Sequence, residues 1–583
     1  MRRNRRTGLS RLWPYTEGQH LRLVCVMVLA AVAAAAPVAG WAIVGDAIDS
    51  GIRASDEGRL VADVAAYVVI GVGAWVLGTT TWLMLAGIGQ RIVLELRRDL
   101  FEHLTSLSLR YFSQQKAGWI IARLTSDVDA LSDVLNQGLT TLVVNSLTLV
   151  AAVGGLFLLD WRLGLVALLV LPPGIVITRW FQHTSHAAFA EVRTRIAAVT
   201  AQLAESVAGM AVVQAFNRER TFQSEFEALN EENRRANQHA QKLSSVFFPA
   251  IEFLGVAATG AVLFAGAKLI DGGSLELGTL VAAIGMLQLV FQPLQELSEL
   301  YGQVQAASAA MGKISTVLDA EQDITDRPGA RPIGRIDGHL ELDGVVFAYG
   351  DEPVIHGISI DVPEGGCIAL VGESGGGKST TAKLIARFYD PLEGAVRVDG
   401  IDLRDVQLRS YRRQLGVVLQ DSFLFSGTIA DNIRFGRPDA ADDEVAAAAH
   451  AIGVDRVAAR FEDGLHHVVR EGGAGLSAGE RQLISIARAL LADPRLLILD
   501  EATSNIDRPS EILIEQAFDT LLRGRTSIII AHRLATVRRA DEILVVERGR
   551  IVQRGTEAEL LAEDGAFGRL AHTLQGAAGR RVA

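Results

Sequence analysis

The sequence predicts a polytopic α-helical membrane domain followed by a soluble α/β domain. Two contrasts along the chain carry that expectation. Six apolar runs fall in the first half, at residues 23–45, 64–90, 134–159, 163–182, 243–267 and 277–297; at ~1.5 Å per helical residue such lengths suit a ~30 Å hydrocarbon layer. Beyond residue 338 the text changes to short β-branched runs set between glycines and helical stretches, the pattern of a sheet with crossover helices. Composition agrees: 49% of the 583 residues are hydrophobic and 21% charged, with a mean hydropathy of +0.26. A chain of that length outgrows a single core. The net charge of -11 averages over two unlike halves and defines no partner. No nucleic-acid partner is expected.

Residues 1–20 form a basic segment, with Arg2, Arg3, Arg5 and Arg6 ahead of the first span. The uncharged run from Leu23 to Gly45 exceeds the roughly 7 to 15 apolar residues of a secretory leader, so it reads as a span. The transmembrane domain is expected over 21–315. Asp160, Trp161 and Arg162 make a tight hairpin between the third and fourth runs, and Arg179 and Trp180 suit an interface at the end of the fourth. Most Lys and Arg of this half lie in residues 91–133 and 179–242, which places those stretches on the cytoplasmic side. Both read as helix, the second throughout, so long transmembrane helices extend into the cytoplasm. Glu252 stands inside a span, where a charge is costly, and two readings stay open: a functional site, or a residue near enough to the cytoplasmic end to snorkel or cap a neighbouring helix. Gln288, Gln292, Trp75 and Trp82 join it as candidate lining of a substrate cavity. Cys25 and Cys367 lack a disulfide or metal-site pattern and read as small buried apolar side chains.

A linker at 316–337 contains Asp326, Arg327, Pro328, Gly329 and Pro332, and the soluble domain spans 338–583. An apolar strand, Cys367 to Val371, runs into Gly372-Glu373-Ser374-Gly375-Gly376-Gly377-Lys378-Ser379-Thr380 and then a helix. G-x-x-x-x-G-K-S between strand and helix is a phosphate-binding loop. Its glycines let backbone N–H groups cradle phosphate oxygens, its lysine meets the β- and γ-phosphates, and Ser379 ligates Mg²⁺. The second half is therefore an α/β P-loop ATPase domain with ATP and Mg²⁺ as its ligands. Leu496 to Leu499 form a second buried strand that delivers Asp500 and Glu501 to the end where parallel sheets bind ligands. Asp500 suits the Mg²⁺ shell and Glu501 the general base that polarises attacking water. A third strand, Thr526 to Ala531, ends at His532, a candidate contact for the γ-phosphate.

Between these lies Leu476-Ser477-Ala478-Gly479-Glu480-Arg481-Gln482, and with it the chain resembles the ATP-binding cassette superfamily, specifically exporter-type half-transporters. The resemblance covers essentially the whole chain and implies that this signature closes over ATP held by a second half-transporter, identical or different. It further implies that Tyr349 stacks on adenine, that Gln420 links Mg²⁺ to the membrane domain, and that Ser504 to Asp507 form the D-loop. Glu471 falls where exporters keep a glutamate against the cytoplasmic loops. Tyr111 to Gly118, Arg123 to Asp127, Glu205, Gly209 and Val213 to Glu219 match the loops that carry coupling helices in the family. An amphipathic drug-like compound, lipid or peptide as substrate, membrane lipid as surroundings and a bacterial inner or plasma membrane as location are what the resemblance implies.

The signature departs from the family at Ala478 and Glu480, and Arg470 replaces a usual glycine. Ser477-x-x-Glu480 is still a capping box, because Glu and Gln both reach back to the cap N–H. Two readings of Glu480 stay open: a neutral variant, or a weakened half of an asymmetric heterodimer. Alternatives to export also stay open at this point: siderophore-type import on the same fold, or a regulatory subunit that binds ATP with little turnover.

Overall fold

The computed structural model describes residues 8–169, 171–500, 508–531, 533–563 and 565–571. They fall into two compact units, one of Met1–Thr105 with Ala117–Ala320 and one of Ser106–Lys116 with Glu321–Ala583.

The first unit is built on long helices: α1 (His20–Asp46), α2 (Glu57–Ser106), α3 (Leu139–Leu159), α4 (Leu171–Ala208), α5 (Glu219–Asp271) and α6 (Leu277–Leu318). Among the described residues six helical stretches are long and apolar enough to cross a membrane. Helices suit that role because every backbone bond closes within the segment. Their inward faces meet in a cluster of Ala152 and Leu156 from α3, Ala258 and Val262 from α5, and Leu280, Ala283, Met286 and Leu287 from α6. Small residues set the closest approach. At the far end of α1, a Cβ on Gly278 would collide with the carbonyl oxygen of Gly45, so two glycines let α1 and α6 cross in backbone contact. Asp49 then caps α6, accepting the N–H groups of Gly278 at 2.8 Å and Thr279 at 3.1 Å.

Two sequence expectations need correction. The second cytoplasmic stretch is not helical throughout: α4 ends at Ala208, a short helix covers Met210–Ala215, and α5 starts at Glu219. Gly209 interrupts the first boundary and Asn217, at φ 51°, turns the chain at the second; asparagine tolerates that left-handed conformation. Cys25, expected to be buried, lies on the exposed face of α1. A membrane helix needs no protein cover on its lipid side, so an apolar residue there is no guide to burial. The hairpin between the third and fourth runs follows from Asp160, whose carboxylate accepts the N–H groups of Arg162 and Leu163 and starts the next helix.

In the second unit, strands β1 (Leu340–Ala348), β2 (Pro353–Val362), β4 (Glu393–Val398) and β5 (Ile401–Asp402) form an antiparallel sheet in the order β2-β1-β4-β5. The central sheet holds β3 (Cys367–Val371), β6 (Leu415–Val418), β7 (Leu496–Asp500), β8 (Thr526–Ile530), β9 (Glu542–Glu547) and β10 (Arg550–Gly555), in the order β10-β9-β3-β8-β7-β6. All its pairings are parallel except β9 with β10. Alternate residues serve two cores. Ala369, Val371, Leu497, Leu499 and Ile529 enter one, while Ile368, Leu370, Leu496, Ile498 and Ile528 enter the other. Both faces are thus covered, which is why these strands read as unbroken apolar runs.

Candidate nucleotide-binding site

The parallel register sets Leu370 of β3 and Asp500 of β7 on either side of Ile530 in β8. Their carboxyl ends therefore share one edge of the sheet. There β3 passes into the glycine loop and then α7 (Lys378–Ile385). Gly372 has φ 149° and Gly377 φ 108°; a Cβ on Gly372 would strike the carbonyl oxygen of Val546, and one on Gly377 would press on Ile355. Only glycine fits both demands. Gly375 also has positive φ, and Glu373, Ser374 and Gly375 are exposed while Gly376 is buried.

Lys378 is buried, and its ammonium donates to the carbonyl oxygens of Gly372 and Glu373, both at 2.8 Å. Burial lowers its pKa, and the negative charge of Asp500 opposes that shift. A cation clasped by two loop carbonyls beside turned glycines fits a triphosphate, whose oxygens are stronger acceptors for the same ammonium. Ser379 is half-buried at the start of α7, Asp500 half-buried at the end of β7, and Gln420 exposed just after β6. These oxygen donors have the chemistry that Mg²⁺ takes.

Tyr349 follows β1 and stands edge-on to Phe347 and Tyr389, with ring centroids 5.0 and 5.2 Å away. Its hydroxyl lies 3.2 Å from the Thr380 hydroxyl, a link from the aromatic cluster to α7 that no sequence pattern signals. Arg110, from the Ser106–Lys116 segment, sits over Tyr389 at 5.9 Å. Glu501, Ser504, Asp507 and His532 lie outside the described residues.

The signature opens α8 (Ala478–Leu491). Ser477 is its N-cap: the hydroxyl accepts the N–H of Glu480 at 3.2 Å, and the Glu480 carboxylate accepts the N–H of Ser477 at 2.7 Å. Glu480 also forms an ion pair with Arg460. Leu476, Gly479 and Glu480 are buried, Ala478 is half-buried and Ser477 is exposed. The carboxylate thus satisfies its own helix terminus and a neighbouring cation. Arg460 carries no motif and was beyond sequence reasoning.

Comparison with known proteins decides the family. The model of the ABC transporter transmembrane region matches residues 23–294, and the ABC transporter model matches residues 355–504. The ABC transporter ATP-binding protein YknV of Bacillus subtilis (strain 168) is 38% identical over 83% of this chain and 80% of its own length. The chain belongs to the ABC transporters. The multidrug efflux ATP-binding/permease protein of Mycobacterium tuberculosis (strain ATCC 25618 / H37Rv) is 36% identical over 94% of this chain, which spans only 46% of that relative. The ATP-dependent lipid A-core flippase of Syntrophus aciditrophicus (strain SB) is 36% identical over 85% of the chain and 82% of its own length. This ABC transporter is of the exporter type, with membrane region and ATP-binding domain fused in one integral membrane chain, and its ATPase is coupled to transport.

In the transporter's membrane half the five candidate lining residues are all exposed, on three helices. Trp75 and Trp82 are exposed on α2, and Glu252 is exposed on α5. Gln288 and Gln292 are exposed on α6. Gln292 donates to the Glu296 carboxylate at 3.0 Å, and Asn145 of α3 donates to its other oxygen at 2.7 Å. Asn145 and Glu296 escaped the sequence reading, although the four-residue spacing from Gln292 to Glu296 was visible.

Proposed function

We propose that this ABC transporter is one half of a dimeric exporter of an amphipathic compound, lipid or peptide in a bacterial inner or plasma membrane, with its ATPase unit in the cytoplasm. What supports the reading most is the union, in one chain, of six apolar helices with a glycine loop and clasped lysine that fit a triphosphate. The concentration of Lys and Arg in the two loops between the apolar runs supports the orientation. The names of the relatives, multidrug efflux protein and lipid A-core flippase, support an amphipathic substrate.

Lys378 exchanges its two carbonyl acceptors for β- and γ-phosphate oxygens, while the turned glycines cradle them. Tyr349 offers its ring to adenine. Ser379, Gln420 and Asp500 would hold Mg²⁺, which supplies positive charge to the phosphates. Glu501 accepts a proton from the attacking water and His532 holds the γ-phosphate. Leu476, Ser477, Ala478, Gly479 and Glu480, with the D-loop residues Ser504 and Asp507, close over the nucleotide of the second chain, so hydrolysis requires two. Mass measurement of the detergent-extracted complex tests the assembly, and two chains are expected. A monomer that hydrolyses ATP at full rate would refute it.

A further inference from the structure

We propose that Glu296 is the recognition point for a cationic head group, so that the transported amphiphile is a cation; this rests on the export function proposed above. Glu296 lies nineteen residues beyond Leu277, the start of α6, about 28 Å along the helix at 1.5 Å per residue. That distance places it near the cytoplasmic end of a hydrocarbon layer ~30 Å thick. A carboxylate at that depth is expensive to ionise without a counter-charge. Its contacts are two neutral amides: Asn145 on one oxygen at 2.7 Å and Gln292 on the other at 3.0 Å. No ion pair involves it among the described residues, whereas Asp127 of the same unit is met by both Arg123 and Lys313. The two amides orient the carboxylate but supply no positive charge.

The surrounding helix face gives the ligand its shape. Gln288, Gln292, Glu296 and Gln303 follow one another at intervals of four, four and seven, which keeps them on one side of α6. All but the half-buried Glu296 are exposed. The buried residues Ala283, Met286, Leu287 and Val290 of the same helix turn into the apolar cluster. A polar stripe therefore runs from about mid-layer at Gln288 to beyond the layer at Gln303, with the Glu296 carboxylate where a lipid-embedded cation would carry its head, and the sequence adds a second acid, Glu299, one turn further on. A quaternary or primary ammonium on an alkyl or aromatic tail fits that order: head at Glu296, tail toward the layer's interior. An anionic amphiphile would meet repulsion at the same place.

Equilibrium binding to the purified full chain in lipid nanodiscs tests this, using dodecyltrimethylammonium and dodecanol as cationic and neutral probes. The parent should prefer the cation. Glu296→Gln should weaken cation binding by about tenfold or more while dodecanol moves by less than about twofold; Glu296→Asp, which keeps the charge, should retain the preference. Gel filtration and Mg-ATP binding report whether each variant is folded. Equal loss for both probes in Glu296→Gln, an unchanged cation preference in that variant, or a parent that binds the neutral probe as well as the cation would each overturn the inference. None of these results touches ATP hydrolysis, whose dependence on Glu501 tests the export function separately.

Discussion

Replacing Glu480 by glutamine separates the two readings of the altered signature. In the folded chain the carboxylate accepts the N–H of Ser477 at 2.7 Å and pairs with Arg460. Glutamine keeps the acceptor and so keeps the capping box. It loses the ion pair, but the Arg460 side chain is 58% exposed, and a pair with one arm in water contributes at most about 1 kcal/mol. Glu480→Gln should thus destabilise by about 1 kcal/mol or less. Glu480→Ala removes both contacts and should cost more, about 2 kcal/mol, because the Ser477 N–H and Arg460 lose their partner while the Ser477 hydroxyl keeps the backbone N–H of residue 480. Turnover should hardly respond: the Ser477 and Gly479 backbone stays in place, so the rate with glutamine should change less than about twofold, a barrier change of ~0.4 kcal/mol. Steady-state ATP hydrolysis and thermal unfolding of the purified chain, parent against both variants, provide the assay. If glutamine alone raises turnover or nucleotide occupancy severalfold at unchanged stability, the carboxylate acts on the nucleotide and the capping account is wrong.

Other contacts give further expectations. Lys378→Ala removes the only loop cation and should weaken ATP binding by at least about tenfold in a nucleotide titration; unchanged affinity would sink the phosphate-loop assignment. Asp49→Ala strips the cap from α6 and should lower stability by about 1 kcal/mol in thermal unfolding, with an unshifted transition counting against that cap as a stabilising contact. Burial pushes the Cys367 thiol up to about 12 from its ordinary value, with Asp541 adding to the shift. Protonated below that pH, it should react with maleimide at pH 8 about 1000-fold more slowly than a free thiol, and rapid labelling of Cys367 in the folded protein would contradict its environment.

What the sequence revealed and what it hid divide along the range of the interactions. Apolar runs and the G-x-x-x-x-G-K-S loop are local patterns: helix length matches a layer, and glycine at 372 and 377 answers a backbone demand that the order of residues already states. The capping box at Ser477 and Glu480 is equally local, three residues wide. Arg460 and Asn145 were invisible for the opposite reason, since each meets its carboxylate across the fold, from 20 and 151 residues away. Glu252 stood out because it is alone among apolar neighbours, whereas Glu296 was hidden among polar neighbours near the end of a run. The helical reading of residues 179–242 failed at Gly209 and Asn217 because the charged surroundings carry no periodic signal strong enough to expose a break. Cys25 was misjudged since hydrophobicity in a membrane helix does not distinguish lipid from protein as the covering phase.

The central claim is ATP-driven transport, and vesicles test it most directly. Purified protein is reconstituted so that the ATPase unit faces outward, and uptake of a labelled dodecylammonium is followed with and without Mg-ATP, for the parent and for Glu501→Gln. The account predicts ATP-dependent accumulation by the parent and, for the glutamine variant, bound Mg-ATP with hydrolysis and accumulation both reduced to a few per cent, because the amide cannot accept the proton. Accumulation by Glu501→Gln at the parental rate, or hydrolysis by the parent that never moves an amphiphile of any charge, would contradict it.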